Sequence, residues 1–261
     1  MPNIDHHAPG TFCWVELATI DPAAAKSFYG SLFGWKANDI PMGPDAVYTM
    51  FELDGREAAA GYKLRPDQLE YGVPPHWLVY IAVTNADESA ARVAELGGKL
   101  SSPVFDVAEH GRMAIVHDPT GATFAIWQAK AHTGIQIGGV DGTLCWADLN
   151  SPHRDKAVPF YSGLFGWQFD PGKDGDMSGY LHIKNGGEYI GGALPAKYLP
   201  PGTPSHWLAY FLTSNCDAST EKAKSLGANV MIAPSDIEGA GRYSVVGDPQ
   251  GAVFALFQPS R

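Results

Sequence analysis

A tandem repeat constrains this 261-residue chain more than any other feature. The segment FYGSLFGW ending at Trp35 returns 132 residues later as FYSGLFGW ending at Trp167, and the segment starting DPTG at Asp118 returns as DPQG at Asp248. Two further pairs keep the same order, FCWVELAT with LCWADLNS and PHWLVYIAVTN with SHWLAYFLTSN. A period of about 130 residues is the size of a whole domain. We therefore predict two copies of one domain, 1–130 and 142–261, joined by a linker at 131–141.

Each copy contains the signals of an α+β fold in which a five-element unit occurs twice. Residues 13–19 alternate like a strand, and Asp21-Pro22 then marks the start of a helix. Asp54-Gly55 is a dipeptide typical of a two-residue hairpin. After Pro74-Pro75 the pattern starts again with a strand, a helix and further strands. The sequence predicts βαβββ followed by βαβββ in each copy.

Composition excludes several classes of partner. The formal net charge is -10 and no Lys/Arg cluster is present, whereas a nucleic-acid-binding surface needs positive charge, so we expect no nucleic-acid partner. No apolar stretch approaches the length of a membrane span, and the N-terminus has no signal-peptide pattern, so we expect no membrane partner. Three sparse cysteines favour a reducing compartment, and we expect a cytoplasmic protein.

The FYxxLFGW helix and the DPxG turn before the last strand, within a βαβββ order, resemble the glyoxalase/bleomycin-resistance/dioxygenase (vicinal oxygen chelate) superfamily, especially its tandem-domain glyoxalase-like members. The resemblance implies that paired βαβββ modules form a U-shaped trough of mixed sheet with helices outside. It also implies a monomer made by pairing the two copies within one chain, or a homodimer. The superfamily includes isomerases, lyases, dioxygenases and drug-sequestering proteins, so the resemblance predicts the fold more closely than the reaction.

Strand alternation predicts which side chains face the trough. On the first strand of each copy, Cys13 and Cys145 are predicted to pack beneath the helices as buried apolar residues. Glu16 and Asp148 are predicted to face the trough, where an apolar wall would raise the carboxyl pKa. We interpret these two carboxylates as candidate general bases. The alternative is that each carboxylate accepts a hydrogen bond from a neighbouring tyrosine and fixes the trough floor.

The remaining inward positions are rich in aromatic side chains and suit a small, aromatic or apolar organic ligand, provided that the trough does not simply close around its own rings. The predicted ligand-binding residues are Trp14, Tyr48, Glu52, His76, Tyr80, Trp127, Trp146, Tyr180, His182, His206, Tyr210 and Phe257.

The metal ligands that the resemblance implies are missing from both copies. The family's ligands come from the first, fourth, fifth and last strands, and these positions carry Trp14, Leu78 and Ala125 in the first copy, with Ala60 or Gly61 on the fourth strand. None of these side chains offers a donor to a divalent ion. A shifted site built from Asp148, His182 and His206 would have the right donors, but the strand offsets give no reason for them to converge. We therefore predict no metal and no cofactor.

Three functions remain open after these exclusions. The first is binding of a small molecule in a metal-free trough, with isomerase, lyase or hydroxylase-like chemistry by a carboxylate base. The second is sequestration of a drug or metabolite without turnover. The third is a metal-dependent lactoylglutathione lyase, which the missing ligands disfavour.

Overall fold

The computed structural model describes residues 3–44, 46–171 and 179–260. The elements of the first copy begin with a central strand and its helix, and each βαβββ module ends in a strand parallel to the one that opened it. Their bounds are β1 (Phe12–Thr19), α1 (Pro22–Phe33), β2 (Lys36–Pro41), β3 (Val47–Leu53), β4 (Arg56–Lys63), α2 (Pro66–Glu70), β5 (His76–Ala82), α3 (Ala86–Glu95), β6 (Lys99–Leu100), β7 (Phe105–Val107), β8 (Gly111–His117) and β9 (Thr123–Ala129).

The second copy repeats this order with two differences: a short 3₁₀ turn takes the place of α2, and one long strand takes the place of β6 and β7. Its elements are β10 (Leu144–Asn150), α4 (Arg154–Phe165), β11 (Gln168–Pro171), β12 (Leu181–Asn185), β13 (Glu188–Leu194), a short 3₁₀ turn (Ala196–Tyr198), β14 (His206–Leu212), α5 (Cys216–Ser225), β15 (Asn229–Ile237), β16 (Gly241–Gly247) and β17 (Val253–Pro259).

Each copy forms its own mixed sheet. The strand order is β2-β3-β4-β1-β5-β9-β8-β6 in the first, with β7 also paired to β8, and β11-β12-β13-β10-β14-β17-β16-β15 in the second. The two opening strands of the modules, β1 and β5 or β10 and β14, pair antiparallel at the centre. The predicted α+β fold with two βαβββ modules per copy is confirmed.

Local signals set the boundaries of the elements that the sequence predicts. Asp21 accepts hydrogen bonds from the backbone N–H groups of Ala23 and Ala24, and Gly34 ends α1 in the left-handed conformation with φ 74°. Asp54 and Gly55 both have positive φ, as the turn between β3 and β4 requires. No pattern in the sequence marks the bounds of β2 or indicates α2, because their mostly exposed residues carry little periodicity.

The helix-bearing faces of the two sheets share one continuous apolar core. Within it, Phe28 and Phe33 of α1 contact Phe254 and Phe211 of the second sheet. In the matching contact, Phe160 of α4 packs against Phe124 of the first sheet. The two copies therefore pack through their helices, and the opposite face of each sheet, which we call the trough face, points away from this core.

The prediction that Cys13 and Cys145 pack beneath the helices is wrong. The pairing of β1 with β5 shifts register between Phe12 and Trp14, and β10 shifts in the same way between Leu144 and Trp146. A bulge of this kind places one extra residue on a strand and moves its side chain to the other face. Cys13 and Cys145 consequently lie in the trough-face clusters. Burial raises the pKa of both thiols, that of Cys145 to about 12, so neither is a reactive nucleophile.

Candidate functional site

The floor of the first trough is a buried carboxylate held by two tyrosines. Glu16 on β1 accepts a hydrogen bond from the hydroxyl of Tyr48 at 2.7 Å and another from Tyr80 at 3.0 Å. The indole N–H of Trp14 in turn donates to the Tyr48 hydroxyl at 3.3 Å. Burial raises the pKa of Glu16, although the two phenols act in the opposite direction by stabilising the anion.

The second trough repeats this arrangement around Asp148. Its Oδ1 accepts from the Tyr180 hydroxyl at 2.6 Å and from the Trp146 indole N–H at 3.0 Å, and its Oδ2 accepts from Tyr210 at 2.8 Å. Burial again raises the pKa of the carboxyl, and the three donors lower it in part. In both copies the raised pKa agrees with the sequence prediction, and the carboxylate also has the tyrosine partners of the alternative interpretation.

The two domains keep the same carboxylate–tyrosine contact although the side chain of Asp148 is one methylene shorter than that of Glu16. A difference at the neighbouring strand position accounts for this. Glu16 lies beside Ala60 on β4, whereas Asp148 lies beside Gly192 on β13. A Cβ atom on Gly192 would stand 1.8 Å from the Tyr180 hydroxyl oxygen. Tyr180 therefore reaches the shorter Asp148 side chain only because residue 192 is glycine.

The first trough is closed by the segment 131–141, interpreted from the sequence as a linker. Ile135 is 3% exposed and packs within the trough-face cluster that contains Trp14 and Trp127. The imidazole of His132 packs edge-on against Trp14, with ring centroids 4.6 Å apart, and the backbone carbonyl of His132 accepts a hydrogen bond from the Trp127 indole. Trp14 is consequently 3% exposed and Trp127 6% exposed.

Hydrogen bonds hold this segment in place along its length. The Ile135 N–H donates to the Cys13 carbonyl at 2.8 Å, and the Gln136 N–H donates to the Glu57 carbonyl at 2.8 Å. The Gln136 side chain also donates to the Glu57 carboxylate at 2.9 Å. On the outer side, the His7 ring bonds the Ile135 carbonyl at 2.9 Å. The first trough is therefore filled by the chain itself.

The second trough has no such cover among the described residues. Trp146, the counterpart of Trp14, is half-buried, as are Phe257, Tyr180 and His182. The His182 ring stands edge-on to Tyr180 with centroids 4.9 Å apart, and 6.4 Å from the Trp146 ring. The aromatic residues that remain partly accessible on the trough face are Trp146, Tyr180, Tyr243 and Phe257.

The remaining predicted site residues lie away from the two carboxylates. Glu52 accepts a 3.4 Å hydrogen bond from Asn38 near the edge of the first sheet. His76 and His206 each bond the carbonyl of the proline two residues earlier, at 2.8 and 2.9 Å. Burial lowers the pKa of His76. These contacts fix the two histidines at the starts of β5 and β14.

The side chains on the central strands do not fit a divalent metal. Strand pairing sets Ala60 and Leu78 on either side of Glu16, and Ala125 beside Tyr80. In the second copy, Asp148 pairs with Leu208 rather than with His206, so the shifted site of Asp148, His182 and His206 does not assemble. In the described part of the chain, no three His, Cys, Asp or Glu side chains are grouped closely enough to hold a metal ion.

Sequence reasoning missed several residues near the troughs. Tyr243 on β16 belongs to the second trough-face cluster, but the phase of that strand could not be read from the sequence. The arginines of the same strands, Arg112 and Arg242, instead pair with Asp87 and Asp217 in the first turns of α3 and α5. Asn150, two residues after Asp148 on the same face of β10, is buried beside His206 and was not among the predicted site residues.

With this geometry established, comparison with known proteins identifies the family. The family model described as Glyoxalase/Bleomycin resistance protein/Dioxygenase superfamily matches residues 5–126 and 143–256. The chain belongs to this superfamily. Both tandem copies are glyoxalase-type domains, as the sequence resemblance predicts.

Relatives within the superfamily span the whole chain. CFP32 of Mycobacterium tuberculosis, provisionally named a glyoxylase, is 38% identical over 100% of this chain and 99% of its own length. DnrV of Streptomyces peucetius, named an anthracycline biosynthesis protein, is 32% identical over 96% of this chain and 94% of its own length. Among solved structures, the Mn(II)-bound glyoxalase from Novosphingobium aromaticivorans aligns with a TM-score of 0.67 at 17% identity, covering 96% of this chain and 82% of that one. The last similarity concerns the fold alone.

Proposed function

We propose that this protein binds a small, planar organic molecule, aromatic or apolar, in the trough of its second domain. The observation that carries this proposal is a partly accessible wall of aromatic rings around a buried carboxylate, Asp148, that is itself bonded to Trp146, Tyr180 and Tyr210. Apolar clefts with a few fixed polar groups are typical of small-molecule sites. Rings such as Trp146 and Phe257 offer faces and edges against which a flat ligand can stack.

The name of one relative supports an aromatic ligand. DnrV is named for anthracycline biosynthesis, and anthracyclines are planar fused-ring compounds. A trough lined by tryptophan, tyrosine and phenylalanine suits such a compound better than it suits a small hydrophilic metabolite. The alternative of a metal-dependent lactoylglutathione lyase is disfavoured, because the central strands place Ala60, Leu78 and Ala125 where a metal would need donors.

Calorimetric titration with 2-naphthol, a planar two-ring probe, tests the binding proposal. We expect one site per chain, and we expect Trp146→Ala to weaken binding at least about tenfold because a stacking surface and its apolar area are lost. Trp14→Phe is the matched control in the closed first trough and should leave affinity unchanged. Absence of binding, or dependence on Trp14 instead of Trp146, would contradict the proposal.

A catalytic role for Asp148 is the second candidate. The raised pKa of this carboxyl favours it as a general base at a carbon next to a carbonyl, with a neighbouring tyrosine donating to the developing oxyanion. If this role holds, Asp148→Asn should still bind a carbonyl-bearing aromatic ligand but should not exchange its α-hydrogen with deuterated solvent, as followed by NMR. Ligand binding without exchange in the unaltered protein would favour sequestration without turnover.

A further inference from the structure

Asn150 is a buried polar residue at the end of the second trough. It follows Trp146 and Asp148 at every second position of β10, so the three side chains share the trough face. Asn150 is 6% exposed and pairs across the sheet with His206 on β14. Its Nδ2 lies 3.2 Å from Nε2 of His206, while its Oδ1 is buried and has no hydrogen-bond partner among the described residues.

The partner of His206 fixes the orientation of this amide. The ring Nδ1 lies 2.9 Å from the Pro204 carbonyl, which can only accept, so in an imidazole with one ring hydrogen that hydrogen is on Nδ1. Nε2 is then an acceptor, and only the NH₂ group of Asn150 can donate to it. The Asn150 Oδ1 is therefore held away from His206 as an unused acceptor. A buried acceptor without a donor is unfavourable, so a ligand that supplies a donor there gains affinity.

The first domain has no equivalent group. The counterpart of Asn150 is Ala18, which pairs with His76 in the same register. The histidine and its bond to a proline carbonyl occur in both domains, but the amide occurs only in the second domain, whose trough has no cover among the described residues. The unused acceptor therefore belongs to the same face of β10 as Trp146 and Asp148.

We propose that Asn150 selects ligands that carry a hydrogen-bond donor, a hydroxyl or an N–H group, at one edge of their ring system, and that His206 positions the amide to do so. Because Oδ1 is buried, the donor would have to enter between Asn150 and the side chains around it, while the ring lies toward Trp146. This inference rests on the proposed function, because it requires a ligand in the second trough.

A matched pair of probes tests the selection directly. 2-Naphthol and 2-methoxynaphthalene have the same ring system, but only the first carries a donor. By isothermal titration calorimetry we expect the unaltered protein to bind 2-naphthol about tenfold more tightly than the methyl ether, the effect of one hydrogen bond to a buried acceptor. In Asn150→Ala, which installs the residue of the first domain, the two probes should bind with equal affinity. Asn38→Ala, at the edge of the other sheet, should keep the tenfold preference.

The possible outcomes distinguish selection by Asn150 from ligand binding in the second trough. If both probes bind the unaltered protein equally well, selection by Asn150 is wrong and the proposed function stands. If neither binds, both are wrong. His206→Leu gives a further readout: without the imidazole acceptor the amide loses its fixed orientation, so the preference should shrink while affinity for 2-methoxynaphthalene is retained. If a variant fails to fold, the affinities of the two probes for the unaltered protein still test whether the second trough selects a hydrogen-bond donor.

Discussion

At the scale of single residues, the two domains hold a buried carboxylate against a tyrosine hydroxyl with different pairs of residues. The longer Glu16 stands beside Ala60, and the shorter Asp148 stands beside Gly192. Because a Cβ on residue 192 would overlap the Tyr180 hydroxyl, glycine and aspartate in the second domain depend on each other. We therefore expect that Asp148 and Gly192 can be replaced by Glu and Ala together, but that either replacement alone destabilises the second domain.

Gly192→Ala should lower the free energy of unfolding by about 1–3 kcal/mol, because Tyr180 must leave Asp148 and a buried carboxylate loses a donor. Adding Asp148→Glu recreates the pair of the first domain and should restore part of the loss. Urea denaturation of the two single variants and the double variant measures this coupling. Strict additivity of the two changes would contradict the compensation.

The raised pKa of Asp148 predicts a pH dependence of stability. Because the folded state binds the proton of Asp148 more tightly than the unfolded chain, the contribution of Asp148 to the free energy of unfolding should fall as pH rises from about 4, the ordinary value for Asp, through the raised native value. Asp148→Asn cannot titrate at this position. The free energy of unfolding of the unaltered protein should therefore fall relative to that of Asp148→Asn as pH rises. Urea denaturation of both proteins from pH 4 to 7 measures this change. Parallel curves would argue against the raised pKa.

Alternation along the strands predicts that four side chains point to the trough face, because successive side chains of a strand point in opposite directions. These are Trp14, Glu16, Trp146 and Asp148. Alternation failed at Cys13 and Cys145, where a bulge inserts one residue without any mark in the sequence. Asn150 was also beyond reach, since its unused acceptor follows from the ring nitrogen that His206 directs at Pro204.

At the scale of elements, the segment 131–141 differs most from its predicted role. Its glycines and lack of periodicity indicated a linker, and sequence alone does not reveal that Ile135 is buried against Trp14 and Trp127. The segment lies over the first sheet because its backbone bonds Cys13 and Glu57, which are contacts between residues far apart in the chain. A connecting segment is thus also the cover of a trough.

Ile135→Ala should lower the free energy of unfolding by about 2–4 kcal/mol, because it removes buried apolar volume from the trough cluster. Ile20→Ala is the matched control, since Ile20 is 49% exposed, and it should change stability by less than about 0.5 kcal/mol. Denaturation with urea measures both. Equal effects of the two substitutions would show that the segment does not pack in the trough in solution.

At the scale of the whole molecule, each domain supplies a tyrosine to the other's DPxG turn. Tyr29 of α1 donates to Asp248 at 3.0 Å and accepts from the Trp77 indole at 3.1 Å. In the second domain, Tyr161 accepts from the Trp207 indole at 2.8 Å, and burial together with the charge of Asp118 raises its pKa well above the ordinary value. The repeat predicted two domains, but it could not predict that the tyrosine of one motif meets the aspartate of the other copy.

Tyr29→Phe should lower the free energy of unfolding by about 1–3 kcal/mol, because it leaves both Asp248 and the Trp77 indole without this partner in the core between the domains. Tyr71→Phe is the control, since Tyr71 is 86% exposed. Because the core is shared, we expect fluorescence and far-UV circular dichroism to report one common unfolding transition for the unaltered protein. Separate transitions for the two domains would argue against the shared core.

Among the described residues, no helix is long and apolar enough to cross a membrane.

The cover over the first trough has a consequence for symmetry. Two identical subunits related by a two-fold axis must treat their clefts alike, since any segment that fills one fills the other. Joining two copies in one chain removes that constraint, because the peptide that connects them can fold back over one cleft without a symmetric equivalent. Fusion thereby allows the two clefts of one chain to differ, which a symmetric pair cannot achieve.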